Sequence, residues 1–282
     1  MLITASSIGP LIRKSYSRFH SDLDYWISLH NIGNLTSGNS TAQVARGQFK
    51  AERKHYRNRW ADLRNRVVQF RDNIFPGEFT KIHKTISPYS MMSHARLRGI
   101  YDGICKVEKR GILGDLVECG TARGGCAALM GLTCSDTSPS RKLWIFDTFE
   151  GLPAPSPNDP DFELAKDREG DCKGNIDEVR ALLGRLNVNC EPVLVKGLFQ
   201  DTIPDSSVKQ IAFLHLDGDW YDSTIVCLEH LYDKVATGGI IQIDDYGHWA
   251  GARKALHEFL EKRNICVDLE YLDYTGRQFT KP

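Results

Sequence analysis

Apolar and polar positions divide the chain near residue 112. Before that point the spacing is helical. Ile12, Tyr16, Phe19, Leu23 and Trp26 recur at intervals of 4-3-4-3, the repeat of one helix face, and predict a helix over 11–30. The stretch 31–40, NIGNLTSGNS, reads as a loop from its Asn, Gly and Ser content. A longer helix is predicted over 41–73. Its apolar stripe is Phe49, Tyr56, Trp60, Leu63, Val67, Phe70 and Ile74, and Pro76-Gly77 ends it. Two such helices with a short connection suggest a helical hairpin. After Pro88 a third helix is predicted over 91–109, with Leu97, Ile100, Tyr101, Ile104 and Val107 on its apolar face.

From Ile112 onward, short apolar runs alternate with helical segments. Strands are predicted at 115–119, 143–147, 192–195, 211–216, 239–243, 266–272 and 277–280, and helices at 125–134, 175–187, 223–235 and 249–263. This alternation predicts an α/β fold with a doubly wound, mostly parallel seven-stranded sheet. The Thr275-Gly276 turn predicts a closing antiparallel hairpin. The organisation expected is a basic helical extension at 1–75 and one α/β domain at 76–282. Between 152 and 172 lies a polar segment with four prolines, four Asp and two Glu. Its length fits either a lid over the site or an unstructured surface loop.

Composition adds little to this picture, but charge distribution adds more. Residues 1–110 hold 19 Lys and Arg against 8 Asp and Glu, whereas 111–282 hold 17 against 28. A basic extension can meet nucleic acid, an anionic surface, or the acidic half of its own or a partner subunit. The last is the expectation here, with a homo-oligomer as the assembly. No segment reaches the roughly 20 apolar residues of a membrane span, and the first ten residues lack the pattern of a signal peptide. Eight scattered cysteines without a CxxC pair read as reduced thiols in a cytoplasmic protein.

The chemistry gathers at strand ends. The run Phe213–Leu216 stops at Asp217-Gly218-Asp219, and Ile240–Ile243 stops at Asp244-Asp245. Open α/β sheets bind ligands beyond the carboxyl ends of their strands, so neighbouring strands would bring four carboxylates together. Carboxylates that close repel unless a cation sits between them. Oxygen ligands without His or Cys favour a hard ion, Mg²⁺ first and Ca²⁺ or Mn²⁺ after it. His215, inside the strand, reads as a satisfied core histidine.

The first strand ends in Val117-Glu118-Cys119-Gly120-Thr121-Ala122-Arg123-Gly124-Gly125. A dinucleotide site would prefer G-x-G-x-x-G, with its second glycine making room for a pyrophosphate. Here that glycine is absent and an acid stands at the strand end, which suits a positively charged ligand. The second strand ends in Asp147, placed to accept hydrogen bonds from a ribose diol. Glu118 and Asp147 together therefore favour S-adenosylmethionine over NAD; Gly120, Thr121, Gly124 and Thr148 are the further candidate cofactor residues, with Phe199 after the third strand as an adenine contact or a core residue.

The segments VECGTARGG, DTFEGLP, KGLFQDTIP, LDGDWYDST and GGIIQIDDYGHWAGAR resemble the macrocin O-methyltransferase family (TylF/MycF type, including the novobiocin sugar methyltransferase). The five motifs occur in the family's order across roughly 85–282, and 1–75 carries none of them. The resemblance implies a class I S-adenosylmethionine-dependent (Rossmann-like) fold and methylation of a hydroxyl on a small acceptor, a sugar or natural product. It implies Asp217, Asp244 and Asp245 as Mg²⁺ ligands and Asp219 as general base. Glu150, Trp220, Tyr221 and His248 are the candidate acceptor contacts, with simple core packing the equal alternative for Trp220 and Tyr221 and a lid contact the alternative for Glu150. His248 is also considered as an auxiliary base, or as a helix-terminal residue with a local hydrogen bond. Two other classes compete: a Mg²⁺-dependent nucleotide-sugar glycosyltransferase reading Asp217-Gly218-Asp219 as D-x-D, and a nucleic-acid-binding protein using the basic helices.

Overall fold

The computed structural model describes residues 59–134 and 141–282. The expected helix over 11–30, the loop at 31–40 and the first part of the helix over 41–73 lie outside them. The sheet forms as the sequence predicts, with strand order β3-β2-β1-β4-β5-β7-β6. The strands are β1 (Asp115–Cys119), β2 (Lys142–Asp147), β3 (Glu191–Lys196), β4 (Ile211–Leu216), β5 (Val235–Ile243), β6 (Glu270–Tyr271) and β7 (Arg277–Thr280). β1 to β5 pair in parallel, and β7 pairs antiparallel with both β5 and β6. The predicted strand at 266–272 shrinks to two residues.

Side chains alternate across a sheet, so each central strand feeds two cores. Leu116, Leu143, Ile145, Phe213 and Ile240 face one cluster, and Val117, Trp144, Phe146, Leu214 and Ile241 face the other. The first cluster is closed by α2 (Glu78–Ile86), α3 (His94–Lys109), α4 (Gly125–Thr133) and α6 (Ile176–Leu186). Leu228, Leu231, Leu256 and Phe259 of α8 (Tyr221–Leu231) and α9 (Ala250–Lys262) close the second. Each fully buried Leu, Ile or Phe contributes roughly 1.5–3 kcal/mol. Helix α3 lies close to the sheet because Gly103 faces Phe213; a Cβ there would stand 2.5 Å from the Phe213 ring. Ser93 caps α3 by accepting from Arg96 N–H, which explains why the helix begins at His94 rather than at Met91.

The helix α1, helical over 59–74, is turned the opposite way from an ordinary surface helix. Its polar side docks. Arg64 bonds Glu270 and the Tyr271 carbonyl, and Asn65 donates to the Leu272 carbonyl. Asp72 accepts from Arg98 at 2.7 Å. Its predicted stripe faces outward, with Trp60, Leu63, Val67, Phe70 and Ile74 all more than half exposed. Among the described residues no helix is long and apolar enough to cross a membrane.

Candidate active site

A cavity of about 240 Å³ opens at the carboxyl ends of β1 to β5. Gly120 and Ala122 follow β1, and Asp147 and Thr148 close β2. Leu198 and Phe199 follow β3 at the start of the short helix α7 (Phe199–Thr202), Asp217 to Asp219 follow β4, and Asp244 and Asp245 follow β5. Met91, Met92 and Arg96 complete it from the start of α3 and the segment before it, and Gly151 to Pro153 and Cys172 from the polar segment.

The glycine turn is built tightly against the acidic end. Gly120 has φ +88° and donates its N–H to the Phe146 carbonyl at 2.8 Å. A Cβ on it would lie 2.0 Å from the Asp217 carbonyl oxygen, so this position needs glycine for both reasons. Asp147 buckles the same turn. Its Oδ2 accepts from Thr121 N–H at 2.7 Å and Ala122 N–H at 3.0 Å, and its Oδ1 accepts from Phe149 N–H at 2.6 Å. Thr121 is buried with an unpartnered hydroxyl, and Gly124 begins α4 in a left-handed conformation. Neither of these two side-chain positions lines the cavity.

Glu118 is fully buried in the sheet rather than on the cavity wall. It faces His215, its register partner on β4, with His215 Nδ1 3.4 Å from Glu118 Oε1. His215 Nε2 points at Asp244 Oδ1 across 3.8 Å and makes no hydrogen bond. His215 is thus a core histidine, as expected, but only its Nδ1 is partnered, and the ring stands between two carboxylates. Burial alone would lower its pKa, but Asp244 and Glu118 outweigh that and lift it to about 9.

Asp217, Asp244 and Asp245 each offer an oxygen within 4.8 Å of the others'. Asp244 Oδ1 is buried without a hydrogen-bond partner. Burial and the neighbouring Asp244 and Asp245 push Asp217 well above the usual carboxylate range, and burial and Asp244 push Asp245 up to about 6. Three converging carboxylates, with an orphaned oxygen among them, fit a hard divalent ion. Asp219 sits beside them with φ +54°, an uncommon conformation for a non-glycine residue. Its N–H donates to Asp245 Oδ2 at 3.1 Å, and its Oδ1 accepts from the Trp249 indole N–H at 2.9 Å. Burial, then Asp245, raise its pKa well above the ordinary value.

The expected acceptor contacts fall outside the cavity lining. Trp220 is 2% exposed, donates its indole N–H to the Pro153 carbonyl at 2.7 Å and packs edge-on against Trp249. Tyr221 donates its hydroxyl to Glu258 at 2.6 Å. Glu150 is exposed and pairs with Lys196 at 2.9 Å, while His248 Nδ1 lies 3.3 Å from the Tyr274 hydroxyl. The polar segment 152–172 carries the short helix α5 (Phe162–Ala165) and forms a strap. Asp159 is buried there and accepts from the Tyr221 N–H at 2.6 Å, and Asp161 accepts from the Ala250 N–H.

Sequence reasoning missed Arg96, Trp249 and Asp273. Arg96 Nη1 binds Asp244 Oδ2 and its Nε lies 3.1 Å from Asp273 Oδ2. Burial would lower its pKa, but Asp244 and Asp273 outweigh that and raise it. No local pattern marks these residues, because their roles exist only once distant segments meet.

A family model, "Macrocin-O-methyltransferase (TylF)", matches residues 54–281. The chain belongs to this family. It is an S-adenosylmethionine-dependent O-methyltransferase by that membership. It is 32% identical over 193 residues to demethyldecarbamoylnovobiocin O-methyltransferase of Streptomyces niveus, covering 67% of this chain and 74% of the relative. It is 31% identical over 194 residues to 8-demethyl-8-(2,3-dimethoxy-alpha-L-rhamnosyl)-tetracenomycin-C 4'-O-methyltransferase of Streptomyces olivaceus, with the same two shares. The solved structure of the O-methyltransferase NovP superposes with a TM-score of 0.64 at 30% identity, covering 68% of this chain and 82% of that one. The calicheamicin methyltransferase CalS11 shares the fold at a TM-score of 0.55 and 18% identity, over 72% and 90% of the two chains.

Proposed function

We propose that this enzyme methylates a hydroxyl of a sugar or sugar-bearing natural product, with Mg²⁺ held by Asp217, Asp244 and Asp245. The observation that carries this reading is the single cavity shared by the glycine turn, Asp147 and all four central carboxylates. The relatives support the acceptor class, since the names of the S. olivaceus enzyme and of the mycinamicin III 3''-O-methyltransferase of Micromonospora griseorubida place the methylated oxygen at 4' and 3''.

Bound, the cofactor supplies an electrophilic methyl group, and a divalent ion supplies a Lewis acid that lowers the pKa of a hydroxyl. The chain's own residues do the rest. Gly120 and the turn buckled by Asp147 would hold the cofactor, with Phe199 and Met92 as apolar walls. Asp219 takes the acceptor proton. Its Oδ1 is committed to Trp249, which leaves Oδ2 for the substrate hydroxyl. A carboxylate so placed contributes about 10²–10⁴-fold. The Trp220–Pro153 and Asp159–Tyr221 bonds tie the strap to the loop after β4, so water exclusion and base positioning share one set of contacts.

A nucleotide-sugar glycosyltransferase would use the same D-x-D, but none of the named relatives supports it. In a thermal-shift screen S-adenosylhomocysteine is expected to raise the melting temperature, and nucleotide sugars alone are not. The reverse pattern would overturn the cofactor assignment.

Two further expectations belong to this reading. The eight cysteines are free, as suits a reducing compartment such as the cytoplasm. The outward stripe of α1 is a seam for self-association, since its 3-4-3-4 spacing from Trp60 to Ile74 is that of paired helices. Sedimentation is expected to find an oligomer that Phe70→Glu weakens; a monomeric parent protein would remove the idea.

A further inference from the structure

We propose that Arg96 is a positioning residue that acts as an internal counter-cation: it holds Asp244 in place before a divalent ion arrives and competes with that ion for the carboxylate. This inference rests on the reading of Asp217, Asp244 and Asp245 as an ion site. It concerns what the chain itself does at that site.

The geometry is specific. Arg96 stands in the first turn of α3, 148 residues from Asp244, and only the folded chain joins them. Its side chain is 15% exposed and that of Asp244 3%, so the pair meets largely away from water. The guanidinium is held from behind as well as in front. Its Nε donates to Asp273 Oδ2 at 3.1 Å, and Asp273 is itself fixed by the Ser93 hydroxyl at 2.5 Å, Thr275 N–H at 3.0 Å and Gly276 N–H at 2.7 Å. The stem leaves little freedom, because a Cβ on Gly276 would stand 2.8 Å from Arg96 Cγ. The same Arg96 lines the cavity beside Asp217, Asp244 and Asp245.

Arg96 thereby engages Asp244 Oδ2, while Oδ1 lies 3.8 Å from His215 Nε2 and has no hydrogen-bond partner. Of the ion pairs formed by the described Arg and Lys residues, Arg96 makes the one that reaches the three-carboxylate cluster. Two consequences follow from charge alone. An ion-free cluster of three carboxylates would repel itself open, and one buried guanidinium reduces that repulsion. A divalent ion drawn to the same cluster must then approach a fixed positive charge already bonded to one of its ligands, which weakens its binding. The planar fork of arginine suits this task, since one edge serves Asp273 while another serves Asp244; the single ammonium of lysine cannot span both.

The signs of these two effects are opposite, and that separates this role from a merely structural one. In Arg96→Met the metal-free protein is expected to melt at a lower temperature, while its affinity for Mn²⁺ rises at least tenfold. Affinity would be read by counting free Mn²⁺ with electron paramagnetic resonance, and confirmed by displacement with Mg²⁺, on the full chain without cofactor at mildly alkaline pH. Arg96→Lys keeps a charge without the bridge and is expected to fall between the two; it also serves if Arg96→Met does not fold. Unchanged or weaker Mn²⁺ binding in the folded variants, beside a parent protein that does bind, would overturn the role of Arg96 and leave the ion site standing. A parent protein that binds neither ion would overturn both.

Discussion

Asp219→Asn is expected to keep its fold and to bind S-adenosylhomocysteine within about threefold of the parent enzyme, yet to lose about 10²–10⁴ in turnover, the usual contribution of a positioned base. The amide cannot accept the acceptor proton, but it has nearly the same shape. Asn tolerates the left-handed backbone that Asp219 adopts at φ +54°, so the substitution adds little strain. Its side-chain oxygen can still receive the Trp249 N–H that now reaches Oδ1 at 2.9 Å. Single-turnover rates beside equilibrium cofactor binding are the check. A variant with parental turnover would move the base elsewhere, and a variant that loses cofactor binding in parallel would show that Asp219 holds the cavity together rather than moving a proton.

Asp147→Asn is expected to act at the other end of the cavity, on binding rather than on chemistry. Three backbone N–H groups converge on this carboxylate, two of them from the glycine turn. Asparagine presents an NH₂ where one carboxylate oxygen stood, so a donor would face a donor. Losing a charge-assisted hydrogen bond costs about 1.5–3 kcal/mol, or roughly 10- to 100-fold in the affinity of a ligand that needs the turn in place. Calorimetry with S-adenosylhomocysteine is expected to find that loss, with an unchanged rate once the variant is saturated. Undiminished affinity would mean that the turn holds its shape without its buckle.

The parallel sheet was legible in the sequence because buried strands leave continuous apolar runs. The expected bounds of β1, β4 and β7 coincide with the observed ones. Helix α2 was not, although Phe79, Ile82 and Ile86 have helical spacing and are buried. Its nine residues lie between Pro76 and Pro88, too short a window for the period to stand out. The four acids after β4 and β5 could be read because strand-end carboxylates are conspicuous in sequence. Glu118 shows the limit of that logic. It stands one residue before the strand's last position, so the pleat turns it into the layer that holds His215 and away from the cavity. Trp220 and Tyr221 could be read equally as acceptor walls or as packing residues, and their polar ends bond Pro153 and Glu258. Adjacency to a catalytic motif does not say which way a side chain faces. Arg96 and Asp273 are silent in sequence for a different reason, since each works through a partner more than a hundred residues away.

Metal-assisted methyl transfer to oxygen can be followed in one assay. Enzyme stripped with a chelator would be incubated with methyl-labelled S-adenosylmethionine and a panel of sugar-bearing natural products and free sugars, with and without Mg²⁺. Label is expected on an acceptor oxygen only when Mg²⁺ is returned, and none with Asp219→Asn. Equal transfer in chelator, or label on nitrogen or carbon, would contradict it.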